Sequence, residues 1–397
     1  MWLSDISIVL PDRLIQNGAV RVQDGLIAEI SERPVKDSVR APRHRLFPGF
    51  IDMHGDMIEL ELEPRPRVDF PMEVAIGHLD ARLAASGVTT AYAGVSFSRT
   101  AKDNERRSFE HTSQIIRALK DNIERLRVDH RIHARFDVTY TDAIAALDGL
   151  LSSGAVDLVS VMDHTPGQGQ YRDLEKLIAY RSHGQGVSME EARVQIEERI
   201  AASVPADQVL DNLERVSRLC QSHGVAMASH DDDTVAKANL MADIGAVISE
   251  FPVTIEAAEA AAARGLMIAM GAPNAMRGQS YSGNLSARDA HAAGLLSILA
   301  ADYHPASILP AIMALAEQDP NGLAGAARLA TANPAKALGL TDRGDITVGK
   351  RADLVLIDPD GHVALTLRQG KKIYANGTLD LPSKGPVEIV KENLQNV

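Results

Sequence analysis

Short alternations of apolar and polar residues occupy both ends of the chain. Apolar residues recur at every second position from Ile6 to Leu10, and Asp24-Gly25 separates two further apolar runs. An Asp-Gly pair between such runs is typical of a β-hairpin. The C-terminal part repeats the pattern, with strands predicted at 354–357, 363–367 and 372–374 and turns at Asp360-Gly361 and Asn376-Gly377. Neither end has enough apolar residues for its own core, so we expect both to pair in one small β-sandwich domain, residues 1–46 and 345–397.

Between residues 47 and 344, runs of strand length alternate with segments of helical periodicity. Ala75, Leu79 and Leu83 recur every four residues and predict one buried helix face, with Gly87 as the C-terminal cap. Apolar or β-branched runs predict eight strands, at 50–52, 88–92, 132–139, 156–162, 225–229, 246–249, 266–270 and 296–300. Eight βα units over roughly 290 residues favour an α/β protein with a (β/α)8 barrel of the TIM type. A charged helical stretch at about 168–205 is expected to be an insertion.

Composition narrows the class of protein. Apolar residues make up 45% of the 397 residues, which permits a large core. Lys and Arg number 41 against 53 Asp and Glu, a net charge of −12, so we expect no nucleic-acid partner, because nucleic-acid binding needs a basic surface. The single cysteine, Cys220, excludes an intramolecular disulfide and suits a reducing cytosol. No run approaches the ~18 apolar residues of a membrane span. We therefore expect a cytoplasmic protein without a membrane partner.

Imidazole and carboxylate side chains follow six of the eight predicted strands. The chemistry of a (β/α)8 barrel lies at the C-terminal strand ends, so these groups should converge on one mouth. Such groups together bind divalent cations. A single histidine at a strand end is more often structural, and Asp231–Asp233 would also suit a helix N-terminus, so only the whole set predicts a metal site. The set comprises Asp52, His54, Asp56, Asp163, His164, His230, Asp231, Glu250, Asp302 and His304, while His133, Arg135 and Asp137 alternate along the third strand.

Two loops have features of an anion site. Arg65 and Arg67 lie among prolines after the first barrel strand, and the segment 274–284 after the seventh combines Arg277 with Gly, Ser and Asn residues. Such loops offer backbone N–H groups and hydroxyls, and arginine adds a bidentate fork for phosphate. Barrels often bind phosphate after strands seven and eight. The predicted anion-binding residues are Arg65, Arg67, Arg277, Ser280, Ser282 and Asn284. A solvated loop remains the alternative.

Several stretches resemble a known family. The run Leu-Phe-Pro-Gly-Phe-Ile-Asp-Met-His at 46–54 and the segment 344–355 resemble the amidohydrolase superfamily. The superfamily usually has His-x-His after strand one, whereas this chain has His54-Gly55-Asp56. With the segments 162–168, 229–232, 250–252 and 271–274, that departure resembles the PhnM branch. The resemblance implies a metal-dependent hydrolase on a distorted barrel. Members of this branch act in the carbon–phosphorus lyase pathway and cleave α-D-ribose 1-methylphosphonate 5-triphosphate to the 5-phosphate and pyrophosphate.

The resemblance also implies roles for individual residues. Asp302 would accept a proton from the water that attacks the α-phosphorus. Metal would be bound by His54, Asp56, His164 and His230, with Asp137 as a bridge between two ions and with Glu59, Glu250 and Asp231 as further candidates. Glu250 stands where a histidine is usual. The expected cofactor is one or two divalent ions, zinc first and manganese, magnesium or iron as alternatives. The expected partner is a small anionic phosphorylated sugar, and a homo-oligomer stays open.

Two other functions remain open from the sequence. A cyclic-amide hydrolase or deaminase is the commoner activity of the superfamily, but a neutral heterocycle has no need of the arginine loops. A barrel retained as a metal-free scaffold would be expected to lose its ligands, whereas this chain keeps them.

Overall fold

The computed structural model describes residues 1–65, 68–97, 109–280 and 283–381, the first two residues of the third range as backbone only. The strands in these residues are β1 Trp2–Val9, β2 Leu14–Gln23, β3 Leu26–Ser31, β4 Val39–Arg40, β5 Arg45–Pro48, β6 Phe50–Gly55, β7 Val88–Phe97, β8 Asp129–Asp137, β9 Leu158–Met162, β10 Ala226–His230, β11 Ile248–Glu250, β12 Met267–Gly271, β13 Leu296–Ala300, β14 Leu354–Ile357, β15 Val363–Arg368 and β16 Lys371–Ala375. The helices are α1 Met57–Leu62, α2 Met72–Ala85, α3 Phe109–Asn122, α4 Ile144–Ser152, α5 Leu174–Gln185, α6 Met189–Ala201, α7 Ala206–His223, α8 Val235–Asp243, α9 Ile255–Ala263, α10 Ala272–Arg277, α11 Ala287–Ala292, α12 Ile308–Ala316, α13 Gly322–Arg328 and α14 Ala332–Ala337.

Within the described ranges, β6 to β13 form a parallel sheet of eight strands in chain order, so the predicted barrel is confirmed. Its first and last strands meet beyond their ends. The amide of Asp302 donates to the carbonyl of His54 over 2.8 Å, and the amide of Asp56 donates to the carbonyl of Asp302 over 2.8 Å. The buried carboxylate of Asp52 accepts from the amide of Ala301 at 2.9 Å. These bonds form a seam that closes the barrel beside its C-terminal mouth.

The interior of the barrel is apolar towards the N-terminal ends of the strands and polar towards the mouth at their C-terminal ends. Met53, Tyr92 and Ile298 belong to a buried cluster inside the strands, and Leu338 and Leu340 pack against it. A larger cluster fills the space between strands and outer helices. The predicted face of α2 is buried, and Gly87 follows that helix with φ +82°. Because side chains fill the interior of the barrel, a catalytic site can form only at the mouth, where the strands end.

The two ends of the chain share a second sheet, which confirms the small terminal β domain. Its strand order is β16-β15-β14-β5-β1-β2-β3, with β4 beside β1. The N-terminal and C-terminal parts join where β5 pairs with β14 in antiparallel register, with Leu46 opposite Leu356. The predicted turn between β2 and β3 is present, and Asp24 and Gly25 have φ of 50° and 79°. The exact limits of this domain, 1–46 and 345–397, remain a prediction.

Helices α5 and α6 lie between the fourth and fifth barrel strands and pack on each other. Leu177, Ile178, Ala192 and Ile196 form their own small buried cluster. Ser188 begins α6 with a capping box, since its hydroxyl accepts from the amide of Glu191 while the Glu191 carboxylate accepts from the amide of Ser188. The limits of the insertion, 168–205, stay a prediction. Among the described helices, none combines the length and apolar character that crossing a membrane requires.

Candidate active site

Three buried side chains from three strand ends meet in the barrel mouth. His54 lies near the end of β6, His230 ends β10 and Glu250 ends β11. One ligand atom of each lies within 4.8 Å of the others, and His54 Nδ1 is 3.4 Å from Glu250 Oε2. All three residues are at most 5% exposed. Parallel strands bring these positions together because their carboxyl ends meet at one rim.

Four polar atoms of this group make no hydrogen bond of good geometry with a described residue. His54 Nδ1, both ring nitrogens of His230 and Glu250 Oε1 are buried, and none makes a hydrogen bond of good geometry within the described residues. Buried polar atoms without partners are costly, typically by ~1–3 kcal/mol each. Two imidazoles and one carboxylate form a donor set that suits a divalent cation. The residues therefore fit a bound metal ion.

The charges of these residues shift one another's pKa values. Burial lowers the pKa of His54, but the carboxylates of Glu250 and Asp56 outweigh burial and raise that pKa to about 10. Burial raises the pKa of Glu250, but His133 and His54 outweigh it and lower that pKa to about 2. The negative field of the two carboxylates thus favours a positive charge at His54. A bound cation would supply that charge, with the imidazole neutral as a ligand must be.

Three turns around the group have unusual backbone conformations. Asp231, Phe251 and Asp302 have φ of 53°, 52° and 56°. Each donates its amide hydrogen to a neighbouring strand end, Asp231 to the carbonyl of Glu250 and Phe251 to that of Ala269 at 2.9 Å. A left-handed conformation at a non-glycine residue costs of order 1–3 kcal/mol and is frequent at functional sites. These left-handed turns allow the hydrogen bonding between neighbouring strands to continue beyond the strand ends. They also turn the side chains towards the mouth.

Asp302 lies on the seam between the last and first barrel strands. Burial raises the pKa of its carboxyl group and Asp56 adds to the rise, while His54 opposes it. A Cβ atom added to Gly271 would lie 3.3 Å from Asp302 Oδ2, so that glycine leaves room for the carboxylate. A carboxylate with a raised pKa can accept and return a proton nearer neutral pH than an ordinary one.

The other predicted metal ligands lie at different distances from the three-residue group. Asp56 Oδ1 is 3.4 Å from His54 Nε2, and Asp231 Oδ2 is 3.0 Å from His230 Nδ1. The ring centroid of His164 is 6.4 Å from that of His230. The Asp137 carboxylate accepts hydrogen bonds from the amide of Thr139 at 3.0 Å and from the hydroxyl of Thr139 at 2.6 Å. Glu59, the last candidate, lies on α1.

Three residues at the site were not singled out as functional from the sequence. His133 lies against the hydroxyl of Ser160, and its Nε2 is 3.7 Å from Glu250 Oε1. Arg135 Nη1 donates to Asp56 Oδ2 at 2.7 Å. The ring of Phe251 packs edge-on against the rings of His54 and His230, with centroids 4.9 and 5.4 Å apart. The alternation of His133 and Arg135 along one strand face was the available signal, since it aims both side chains into the barrel.

The predicted anion-binding residues follow the first and seventh barrel strands in the sequence. Arg65 and Arg277 are exposed, whereas Ser280 and Asn284 are half-buried. Gly278 ends α10 with φ 80°. Arg67 and Ser282 lie outside the described residues, so their predicted role stays a prediction.

Comparison with known families and proteins gives one family match and two protein matches of different extent. The amidohydrolase family profile matches residues 45–373. The α-D-ribose 1-methylphosphonate 5-triphosphate diphosphatase of Escherichia coli (strain K12) is 37% identical over 384 residues, which cover 94% of this chain and 100% of that enzyme. Adenine deaminase 2 of Latilactobacillus sakei subsp. sakei (strain 23K) is 40% identical over 74 residues, 18% of this chain and 13% of that enzyme.

Solved structures share the fold at low sequence identity. An N-acetyl-D-glucosamine-6-phosphate deacetylase from Mycobacterium smegmatis has a TM-score of 0.63 at 15% identity and covers 94% of this chain and 99% of its own. A Xaa-Pro dipeptidase with bound methionine also has a TM-score of 0.63, at 13% identity, with the same coverage of 94% and 99%. At such identities the likeness concerns the fold alone.

Proposed function

Because the chain belongs to the amidohydrolase family, we propose that it is a metal-dependent hydrolase of phosphonate metabolism. Its reaction is the cleavage of α-D-ribose 1-methylphosphonate 5-triphosphate to the 5-phosphate and pyrophosphate. The observation that carries the proposal is the match to the Escherichia coli diphosphatase along the whole length of that enzyme. The buried donor group in the mouth and the arginines that follow the first and seventh barrel strands in the sequence support it, since a triphosphate ester needs cations around it.

His54, His230 and Glu250 would hold the metal, and Asp56, Asp137, His164, Asp231 and Glu59 are further candidates for a first or second ion. A divalent cation in this position supplies charge neutralisation and makes water a better nucleophile near neutral pH. Zinc is the first choice because two imidazoles are present, and manganese, magnesium or iron are the alternatives.

The chain's own residues position the reactants and move the proton. Asp302 takes the proton from the attacking water as the water oxygen forms a bond to the α-phosphorus. The bond from the α-phosphorus to the bridging oxygen breaks, and that oxygen leaves with pyrophosphate. Phe251 excludes bulk water from one side of the histidine pair. Arg65, Arg67 and Arg277, with Ser280, Ser282 and Asn284, bind the anionic groups at the mouth.

The proposal includes a cytoplasmic location, a small phosphorylated sugar as partner and no nucleic-acid partner, in keeping with the net charge of −12. A homo-oligomer stays open.

The deciding experiment compares substrates on the purified, metal-loaded protein. Pyrophosphate release is measured with the ribose methylphosphonate triphosphate and with ATP, and ammonia release with adenine. We expect pyrophosphate from the first compound at a kcat/KM at least 100-fold above that for ATP, and no ammonia. Ammonia from adenine without pyrophosphate would establish the deaminase alternative, to which the 74-residue match points.

A further inference from the structure

Arg135 is a cation inside the barrel mouth, unlike the exposed Arg65 and Arg277. Its side chain is 12% exposed, and Nη1 donates to Asp56 Oδ2 at 2.7 Å. The other oxygen of Asp56 faces His54, with 3.4 Å between Asp56 Oδ1 and His54 Nε2. Asp56 therefore connects Arg135 to the group that would hold the metal. An arginine in this position lies beside the reacting centre.

The guanidinium has unused hydrogen-bonding capacity. In a guanidinium, Nε–H and one N–H of Nη2 point the same way and form a bidentate edge, while Nη1 lies on the other side. Asp56 engages Nη1, so the bidentate edge is left over. Nε is buried and has no hydrogen-bond partner among the residues that the structure describes. A buried, unpaired N–H donor of a charged group calls for an acceptor.

The neighbouring strand keeps space for this pair. A Cβ atom added to Gly94 on β7 would lie 2.7 Å from Asp56 Oδ1 and 3.2 Å from Arg135 Cδ. A distance under 3 Å between two such atoms forces one of them to move. The absence of a side chain at Gly94 thus leaves room beside β7 for the carboxylate of Asp56 and for the aliphatic part of the Arg135 side chain. The pair is held by the fold and does not depend on a flexible loop.

We propose that Arg135 is a catalytic residue whose Nε–Nη2 edge binds a non-bridging oxygen of the phosphoryl group under attack. Asp56 fixes the guanidinium, and the site therefore takes a phosphate ester or anhydride with its reacting phosphorus between Arg135 and the His54–His230–Glu250 group. The inference rests on the proposed function. Phosphoryl transfer spreads negative charge over the non-bridging oxygens, and a preorganised planar fork stabilises that charge better than a point charge does.

The test uses Arg135→Lys in the full-length, metal-loaded protein. Lysine can still neutralise Asp56, but it has no bidentate edge. We expect kcat for pyrophosphate release to fall by ~10²-fold or more, with KM changed less than tenfold and metal content equal to wild type. The matched control is Arg131→Lys on the same strand, where the arginine pairs with Asp157 at the other end of the barrel, and we expect wild-type kcat. Wild-type kcat in Arg135→Lys overturns the inference, and so does loss of metal, because Arg135 would then act only through Asp56.

A binding measurement separates this inference from the proposed function. Calorimetric titration with α-D-ribose 5-phosphate, which carries the phosphate that the reaction would leave behind, needs no turnover. We expect Arg135→Lys to weaken its binding at least tenfold relative to wild type and to Arg131→Lys. If wild type releases no pyrophosphate but binds this probe through Arg135, the proposed function fails and the phosphate-binding role of Arg135 stands. Equal binding by wild type and Arg135→Lys, or no binding by either, overturns that role.

Discussion

Ser160 donates its hydroxyl hydrogen to Glu250, with 2.5 Å between Ser160 Oγ and Glu250 Oε2. His133 Nε2 lies against the same hydroxyl oxygen. A hydroxyl has only one hydrogen to give, so His133 is the donor in that contact and its neutral ring carries the proton on Nε2. Burial lowers the pKa of His133 to about 3, which agrees with a neutral ring. The hydrogen bonds from His133 to Ser160 and from Ser160 to Glu250 hold Oε2 of Glu250 in place. Oε1 of Glu250 is then available to a cation.

Removal of the Ser160 hydroxyl should weaken metal binding without unfolding the protein. Partners that orient a metal ligand typically contribute 10–100-fold in affinity. We expect Ser160→Ala to raise the Kd for zinc by ~10-fold or more in a chelator competition assay. The control is Ser153→Ala, where the hydroxyl is exposed and donates to the carbonyl of Leu150 at 2.8 Å. Equal Kd values for the two variants would contradict the positioning role.

Glu250 should be required for the metal itself. Glu250→Gln keeps the size of the side chain but removes the negative charge beside His54. We expect bound zinc, measured by elemental analysis after dialysis, to fall well below the wild-type ratio. His304→Gln, at a predicted strand end but exposed, should retain the wild-type ratio. Full metal content in Glu250→Gln would mean that the ion binds to another set of residues.

Asp302→Asn should separate proton transfer from metal binding. The amide keeps the shape of the carboxylate but cannot accept the proton of water. We expect metal content to stay at the wild-type value while turnover falls by ~10²-fold or more. Elemental analysis and initial rates of pyrophosphate release measure the two effects. Loss of metal would make Asp302 a ligand, and full activity would remove it from the reaction.

Arg277→Ala should affect the substrate and leave the fold intact. The side chain is exposed at the end of α10, so its interaction with phosphate is screened by solvent. We expect kcat/KM to fall about tenfold, with unchanged metal content and Tm. The comparison is Arg264→Ala, an exposed arginine that pairs with Asp243 on the outer surface. An unchanged kcat/KM for Arg277→Ala would make the loop after β12 a solvated loop.

The acid stability of the barrel should depend on Asp80. Its carboxylate accepts from the amides of Arg127 and Val128 at 3.0 Å and contacts His130 Nε2 at 3.1 Å. Burial raises the pKa of Asp80, but the bonds from His130 and from these amides outweigh it and hold that pKa below its ordinary range.

A carboxyl group whose pKa is lowered on folding stabilises the protein above its unfolded pKa of ~4 and loses that contribution as the pH falls through the folded pKa. We therefore expect Asp80→Asn to lower the free energy of unfolding by ~2 kcal/mol at pH 7 and by less at pH 3. Urea denaturation at both pH values measures the difference. An equal difference at pH 7 and pH 3 would contradict the electrostatic origin.

The sequence predicted the strands better than the contacts at the mouth. The eight barrel strands were predictable because each contains a largely buried run between helical segments, and the Asp24-Gly25 turn because only a few residues tolerate its backbone. Periodicity tells which face of a strand a residue occupies, but not which strand end it meets. For this reason the sequence placed His133 and Arg135 on one face of their strand but could not pair them with Glu250 and Asp56. Those pairs depend on strand tilt and on barrel closure.

The seam at Asp52, His54 and Asp302 makes the active site a late product of folding. The bond between Asp52 and the amide of Ala301 joins residues 249 positions apart. Contacts of such sequence separation have a high loop-closure cost and form slowly. A nascent chain that has left the ribosome only as far as β12 has His54, His230 and Glu250. It lacks β13 and the following Asp302, whose amide bonds the carbonyl of His54. High-affinity metal uptake during synthesis should therefore begin only when the last barrel strand has emerged, so that truncated chains neither sequester the ion nor hydrolyse the substrate.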